Sequence, residues 1–299
     1  MRQSILYLKN KFLCVVTASY LKDHSKRPFA RRINQRHNTF WRSSDAEKVR
    51  NIAMSADDPP TKWKDGRHWQ RKLSNKYNAK QFAELYGCKV SELFWKGRNA
   101  SAINFNKLPP YYVIRPTIGH SCNLVFLMAN SVNLMDRKTY SSQEIKSILS
   151  EALNENPHLE FLIEEFVRTE SGEYAIPDDY KIYMFNGEVA IIEVINRSSP
   201  AKGTLSCYDK NWQMMANTAT FKFAQAAYQP PPKCLVEMIE QAKRLSKAYE
   251  IFVRIDFYAT DKGAVFGEFT PTPGAARFLT EETEKIFIDY WDTFCKGRI

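Results

Sequence analysis

Apolar and polar residues alternate along short stretches in the second half of the chain, and this pattern predicts two antiparallel hairpins. In the first, residues 179–185 and 188–194 flank Asn186-Gly187, a dipeptide that strongly favours a two-residue hairpin turn. The second comprises residues 251–258 and 264–269. Further apolar strands are predicted at residues 111–116, 124–129 and 161–167.

Helical spacing and capping residues predict helices between these strands. Apolar residues repeat at intervals of three and four over residues 234–249. Ser141 and Glu144 form a capping box ahead of a helix that runs to about residue 154, and a helix over residues 75–86 ends at a glycine. A shorter helix is predicted over residues 45–55, and the polar, basic residues 21–43 are predicted to form an extended connection. Antiparallel hairpins mixed with helices predict the α+β fold class.

Composition narrows the class of protein. The chain has 299 residues, of which 44% are hydrophobic and 25% charged, and this excludes disordered, collagen-like and disulfide-scaffold classes. No apolar stretch approaches the roughly 20 residues that a bilayer-spanning helix needs, so we expect no membrane span. The six cysteines form no CxxC or Cys/His cluster, which is typical of reduced thiols and favours a cytoplasmic location.

Positive charge is concentrated at the start of the chain. Residues 1–80 contain 19 Lys and Arg against 6 Asp and Glu, whereas residues 81–299 contain 24 against 27. The basic segment either packs on the body of the protein or reaches an anionic partner. Its first twenty residues predict an amphipathic helix, with an organelle transit peptide as the alternative. Its aromatic residues could stack bases, but no RNA-binding motif is present, so we expect structural roles for them and no nucleic-acid partner. These aromatic residues are Phe29, Phe40, Trp41, Trp63 and Trp69.

Two carboxylates in the last hairpin are candidate metal ligands. Asp256 shares a strand face with Arg254, and Glu268 shares a face of the return strand with Thr270. We expect Asp256 and Glu268 to be diagonal neighbours about 5–8 Å apart. Oxygen ligands of this kind suit a magnesium ion that also binds nucleotide phosphates. The alternative is that Arg254 simply neutralises the two acids.

Several other features indicate anion binding. Arg115 ends a strand before a loop with Gly119, which lacks the spacing of a P-loop but could hold phosphates. Lys181 lies among aromatic residues on a predicted strand, and Arg197 follows the next strand. Arg277 follows a loop of small residues and is a candidate anion clamp. Two interpretations of residues 161–167 are open. They are either a core strand that brings two acids to the surface, or a hinge whose backbone forms hydrogen bonds with the edge of an adenine ring.

In their order along the chain, these features resemble the ATP-grasp superfamily, and specifically its TupA-like branch, over roughly residues 70–280. The matching stretches are 74–77, 108–116 with the Gly119 loop, 161–167, 176–187, 208–212, 253–258 and 266–270.

The resemblance implies two α+β subdomains that clamp ATP, preceded by a basic helical segment. The corresponding division is residues 1–70 for the basic segment, 71–160 for the lid subdomain and 161–299 for the C-terminal subdomain. The resemblance also implies a role for each site residue. Arg115 and Lys181 would contact the ATP phosphates, which Thr117, Gly119 and Ser121 would cover. The adenine would be contacted by Glu164, Glu165, Phe166 and Val167. Asp256 and Glu268 would bind magnesium, and the reacting groups would be contacted by Arg197, Arg277 and Lys181.

The implied activity is that of an ATP-dependent carboxylate–amine ligase that forms an amide or peptide bond through an acyl phosphate. Its substrates would be small-molecule, peptide or saccharide carboxylates and amines, and a homodimer is compatible with the sequence. Two departures from the family pattern matter: Arg115 replaces a lysine, and Thr270 replaces an asparagine, which puts a second magnesium in question. The alternatives are a kinase acting on a hydroxyl group, a non-catalytic nucleotide-binding protein, and a nucleic-acid-binding module.

Overall fold

The structure is a computed structural model, and it describes residues 27–119, 122–199, 202–216, 218, 223–277 and 279–296. Within these residues the strands form two sheets in which nearly all neighbours are antiparallel. The predicted amphipathic helix or transit peptide of the first twenty residues lies outside the described part of the chain.

The smaller sheet has the strand order β1-β6-β2-β3-β4-β5 among the described residues. Its strands are β1 (Leu93–Gly97), β2 (Tyr111–Pro116), β3 (Phe126–Ala129), β4 (Val132–Asn133), β5 (Lys138–Thr139) and β6 (Phe161–Glu165). The C-terminal boundary of the predicted lid subdomain therefore falls just before β6, a strand paired on both sides within this sheet. The division of the chain into three parts stays a prediction.

The larger sheet has the order β10-β9-β8-β7-β12-β13 in the described chain, and β11 adds to β9 in parallel. Its strands are β7 (Asp179–Phe185), β8 (Glu188–Ser199), β9 (Lys202–Tyr208), β10 (Met214–Met215), β11 (Ala224–Gln225), β12 (Phe252–Thr260) and β13 (Gly263–Thr270). Both predicted hairpins are present in this sheet. At the first turn Asn186 and Gly187 both adopt positive φ, as a two-residue turn of the favoured hand requires.

Helices cover the sheets. The α-helices are α1 (Pro28–Trp41), α2 (Ala46–Arg50), α3 (Pro60–Trp63), α4 (Lys76–Leu85), α5 (Ser142–Glu155), α6 (Leu235–Tyr249) and α7 (Glu281–Phe294). Short 3-10 turns occupy Trp69–Ser74, Ala100–Ala102, Phe105–Lys107 and Pro273–Ala276. The predicted capping box of α5 is present with both of its hydrogen bonds, and α4 and α6 match their predicted positions within about one residue. Within the described residues, no helix combines the length and the apolar character that crossing a bilayer requires.

The apolar core has three parts. One lies between α4, α6 and one face of the larger sheet, the second between α1, α7 and the opposite face of that sheet, and the third between α5 and the smaller sheet. Of the aromatic residues in the basic segment, Phe29, Phe40, Trp63 and Trp69 are buried in the interior, as expected. Trp41 is only half-buried.

The prediction of an extended connection over residues 21–43 is wrong where the structure describes it, because residues 28–41 form helix α1. Its buried face combines Phe29, Ile33 and Phe40 with Arg36, and the arginine conceals the helical spacing of apolar residues in the sequence. Arg36 is completely buried, and its Nη1 donates to the carbonyl oxygens of Phe252 (2.7 Å) and Pro271 (3.1 Å). The basic segment thus packs on the body of the protein through α1.

We predict that Arg36→Ala destabilises the protein by about 2–4 kcal/mol, because it removes a buried side chain and leaves two buried carbonyl groups without their donor. Urea denaturation measures the change. Arg31→Ala is the control, since Arg31 is exposed on the same helix and its loss should cost less than about 0.5 kcal/mol. Equal losses in the two variants would show that Arg36 does not anchor α1.

Candidate active site

A cavity of about 750 Å³ lies between the two sheets and is closed on one side by the N-terminal helices. Most residues singled out in the sequence line it, namely Arg115, Gly119, Glu164, Glu165, Phe166, Val167, Lys181, Arg197, Asp256 and Glu268. The volume is in the range of pockets that hold a cofactor or a drug-sized ligand. The fold therefore brings together residues that are up to about 150 positions apart in the sequence.

The centre of the cavity is an ion network on strands β7 and β12. Asp256 is 2% exposed and accepts Nε of Arg254 (2.7 Å) and Nζ of Lys181 (2.6 Å). Lys181 also contacts Asp179 (2.6 Å). Burial alone would raise the pKa of Asp256, but the adjacent Arg254 and Lys181 outweigh it and hold that pKa below its ordinary value. Burial acts to lower the pKa of Lys181, whereas Asp179 and Asp256 raise it above its ordinary value. Asp256 and Lys181 are therefore both charged at neutral pH.

The register of the last hairpin differs from the predicted one. Asp256 and Glu268 are direct cross-strand partners rather than diagonal neighbours, because β13 carries a bulge at Gly267 that shifts the register by one residue. A Cβ atom at position 267 would lie 3.0 Å from the Asp256 carbonyl oxygen, so glycine permits this close approach. The bulge brings the two carboxylates opposite each other in the cavity.

Glu268 is the more accessible of the two acids, with its side chain 35% exposed. Its oxygens lie 3.9 Å from Nη2 of Arg254 and 3.8 Å from Nζ of Lys76, and Arg254 also donates to the Thr270 hydroxyl (2.9 Å). Arg254 therefore contacts both acids, as the predicted alternative requires. The accessible side of Glu268 still has room for a cation.

The donor set fits a magnesium ion that is bound jointly by protein and phosphate. Two carboxylates face the cavity side by side, and magnesium takes one or two carboxylates together with phosphate oxygens and water. In the described part of the chain, no group of three or more His, Cys, Asp or Glu side chains could hold a metal by itself. A magnesium ion bound here would complete its coordination with phosphate oxygens or water.

A second ion network joins the smaller sheet to α4. Glu164 is 2% exposed and contacts Nζ of Lys80 (2.5 Å) and Nε of Arg115 (3.0 Å). Burial acts to raise the pKa of Glu164, but Arg115 and Lys80 lower it below its ordinary value. Burial lowers the pKa of Lys80 to about 8. The Glu164 side chain is occupied by these cations, so a hinge at this position would act on a ligand through its backbone.

The predicted phosphate loop is only partly described. Gly119 has a φ of 130° and its carbonyl accepts Nζ of Lys76 (3.0 Å), which ties the loop to α4. Thr117 does not line the cavity; it is buried and its hydroxyl donates to the Glu160 carbonyl (3.1 Å). Ser121 lies outside the described residues.

The two outer arginines differ in their placement. Arg197 lines the cavity, with its guanidinium 3.7 Å from Asp179 and 5.5 Å from the ring centre of Phe223. Arg277 is exposed and does not line the cavity, although Gly274 and Ala275 of the same loop do. Arg277 instead acts on His37 of α1 through its charge and contributes to lowering the pKa of that imidazole.

Sequence reasoning did not assign roles to several cations and acids of the cavity. Lys76 and Lys80 are four residues apart on α4 and therefore lie on one helix face, which is a readable signal. Asp179 precedes Lys181 by two residues on the same strand face, which is a second readable signal. His37 and Trp41 gave no such signal, because helix α1 itself was not predicted.

The chain matches the family profile described as TupA-like ATPgrasp over residues 61–291. Two sheets that enclose a charged cavity, together with this match, define an ATP-grasp protein. The chain belongs to the TupA-like ATP-grasp family, as the sequence resemblance predicted. No curated protein was found to match the chain.

Solved structures that resemble the chain include three ligases. D-alanine–D-alanine ligase from Bacillus anthracis is 16% identical and has a TM-score of 0.47, over 75% of this chain and 66% of that one. D-alanyl-alanine synthetase A from Vibrio cholerae is 11% identical, with a TM-score of 0.48 over 75% and 66%. L-amino acid ligase from Bacillus licheniformis is 13% identical, with a TM-score of 0.44 over 70% and 44%. The chain thus spans at most 66% of the length of these ligases.

We predict that Glu164→Gln destabilises the protein by about 3–5 kcal/mol at pH 7, because Lys80 and Arg115 remain buried without their carboxylate. The lowered pKa of Glu164 also sets a pH dependence. Its stabilisation is fully present above the ordinary glutamate pKa of about 4.3 and is lost as the pH falls through the lower value of the folded state. Urea denaturation between pH 6 and pH 3 should therefore show a shallower loss of stability in the variant than in the wild type.

The control is Glu160→Gln, which removes a half-exposed partner of Lys96 and should cost about 1 kcal/mol or less. Identical stability and identical acid sensitivity in Glu164→Gln and Glu160→Gln would contradict a buried, charged Glu164.

Proposed function

We propose that this chain is an ATP-dependent carboxylate–amine ligase, which forms an amide or peptide bond through an acyl phosphate. Membership of the ATP-grasp family supports ATP as the phosphoryl donor. The observation that carries the proposal is the cluster of Lys181, Arg254, Asp256 and Glu268 in one cavity. Such a cluster offers fixed positive charge and oxygen ligands at the same place.

The cavity residues divide into binding roles. Asp256 and Glu268 would hold magnesium, and Lys181 with Arg115 would offset the charge of the triphosphate. The backbone of residues 164–167 would contact adenine. Lys76 joins the proposed phosphate-binding set, since it lies between Glu268 and the Gly119 loop. When bound, ATP would supply the phosphoryl group that activates the substrate carboxylate, and its metal ion would offset the negative charge of the phosphates.

The remaining residues would position the substrate. Arg197 lines the cavity beside Asp179 and Lys181 and suits a carboxylate that a guanidinium group orients. The buried network around Asp256 keeps these cations fixed, so little reorganisation is needed when charge develops. Closure of the cavity around its substrates would exclude water, which would otherwise hydrolyse an acyl phosphate before an amine reaches it.

The products would be amides within polysaccharide–peptide conjugates or specialised metabolites. A cytoplasmic location and a homodimer stay predictions of the sequence.

We predict that ADP raises the melting temperature only modestly without magnesium and clearly with it. At a hundredfold excess over the dissociation constant, the stabilisation is about 2.7 kcal/mol. Glu268→Gln should lose the magnesium-dependent part, because Glu268 is the accessible carboxylate of the pair. Thermal denaturation with and without magnesium measures both effects.

Glu282→Gln is the matched control, since Glu282 is exposed on α7 outside the cavity. Equal shifts with and without magnesium in the wild type would count against Asp256 and Glu268 as metal ligands.

We predict that hydroxylamine replaces the amine substrate and yields a hydroxamate, with one ADP and one phosphate for each hydroxamate formed. A screen of amino acids, peptides and uronates for ADP release identifies the carboxylate to use. Arg197→Ala should abolish hydroxamate formation while ADP still stabilises the protein, because Arg197 is assigned to the carboxylate. A stable phosphate ester without free phosphate would instead establish the kinase alternative.

A further inference from the structure

Three cavity residues come from a part of the chain that precedes the family match. The match begins at residue 61, whereas His37, Trp41 and Arg50 belong to α1 and α2. All three line the same cavity as Lys181, Asp256 and Glu268. One wall of the cavity is therefore formed by residues that lie outside the matched region.

This wall is held rigidly against the strand end that carries Glu268. Arg36 binds the Pro271 carbonyl from the buried side of α1, and the neighbouring His37 has its Nδ1 3.5 Å from the Thr272 hydroxyl. Trp41 lies four residues after His37, so both side chains belong to one stripe of the helix. The two side chains face the cavity because the opposite stripe is fixed in the core.

A series of contacts separates the wall from the proposed adenine hinge. Successive contacts lead from Glu164 to Arg115 (3.0 Å), from Arg115 to the Gly267 carbonyl (3.4 Å), and from the next residue, Glu268, to Arg254 (3.9 Å). Arg254 binds Thr270, which is followed by Pro271 and Thr272, the contacts of α1. A substrate that meets the phosphoryl group beyond Glu268 would therefore extend towards α1.

The wall carries positive charge and an aromatic surface. Burial, followed by the charges of Arg277 and Arg42, lowers the pKa of His37, so the imidazole is neutral at pH 7 and lies in a positive field. The guanidinium of Arg50 lies 5.4 Å from the centre of the Trp41 ring. Burial lowers the pKa of Lys76, and the nearby positive charge of Arg50 adds to this lowering. The ATP phosphates, assigned to Lys181 and Arg115, do not account for the cations around His37.

We propose that His37, Trp41 and Arg50 form a subsite for a second anionic group of the substrate, so that the ligase acts on molecules with a carboxylate or phosphate besides the reacting carboxylate. The imidazole donates a hydrogen bond to this group, and Arg50, which lines the cavity, supplies the positive charge. The Trp41 indole packs against the carbon skeleton between the two anionic groups. The proposal rests on the ligase function for the identity of the reacting carboxylate, but the anion subsite itself is a binding property.

The test compares three probes of similar length: butyrate, which has one carboxylate; glutarate, which has two; and 3-phosphonopropionate, which has a carboxylate and a phosphonate. Apparent dissociation constants are taken from thermal shifts, with and without saturating ADP and magnesium. Glutarate or 3-phosphonopropionate should bind about tenfold more tightly than butyrate, as loss of one charge-assisted hydrogen bond implies. The tighter of these two identifies a carboxylate or a phosphate as the preferred second group.

His37→Ala and Arg50→Ala should each remove most of this tenfold preference, and Trp41→Ala should weaken all three probes. Arg31→Ala removes the same charge from an exposed position of α1 that does not line the cavity, and it should bind like the wild type. The subsite is refuted if butyrate binds as tightly as the dianions, or if Arg31→Ala and Arg50→Ala lose the preference equally. Absence of any ADP effect would refute the proposed function separately, because the probe comparison without nucleotide still measures the subsite.

Discussion

The arrangement of the cavity depends on the ion network in which Asp256 is held by Arg254 and Lys181. These groups lie on two paired strands in the middle of the larger sheet, where an unpaired charge would cost several kcal/mol. Each ion is kept charged by the others, so the cations stay in place whether or not a ligand is bound. We infer that this preorganised charge is what allows the cavity to receive a triphosphate without rebuilding its walls.

The network also connects parts of the molecule that are distant in sequence. The bulge at Gly267 sets Glu268 opposite Asp256, and the same stretch of β13 offers the Gly267 carbonyl to Arg115 on the smaller sheet. Beyond the strand end, Pro271 accepts Arg36 of α1. One strand thus links the smaller sheet, the ion network and the N-terminal helix, and a change of its register would disturb all three.

Much of the fold can be predicted from the sequence because the signals are local. The Asn186-Gly187 turn and the Ser141 capping box each specify a structure within a few residues, and both are confirmed. The cavity is harder to predict, because the bulge at Gly267 depends on a close approach between two strands. Helix α1 escaped prediction because Arg36, a buried arginine, is satisfied by carbonyl groups more than 200 residues away. Lys80 and Glu164 likewise meet only after the smaller sheet has folded against α4.

We propose that phosphoryl transfer in this cavity is from ATP to a carboxylate oxygen. The experiment supplies the active carboxylate substrate with both carboxylate oxygens labelled with oxygen-18, together with ATP, magnesium and the amine. Attack of the carboxylate on the terminal phosphorus leaves one labelled oxygen in the released phosphate and the other in the amide. Mass spectrometry of the phosphate should therefore show a single oxygen-18 atom per molecule. Unlabelled phosphate accompanied by amide would contradict an acyl-phosphate intermediate, because the carboxylate oxygen would then never have bonded to phosphorus.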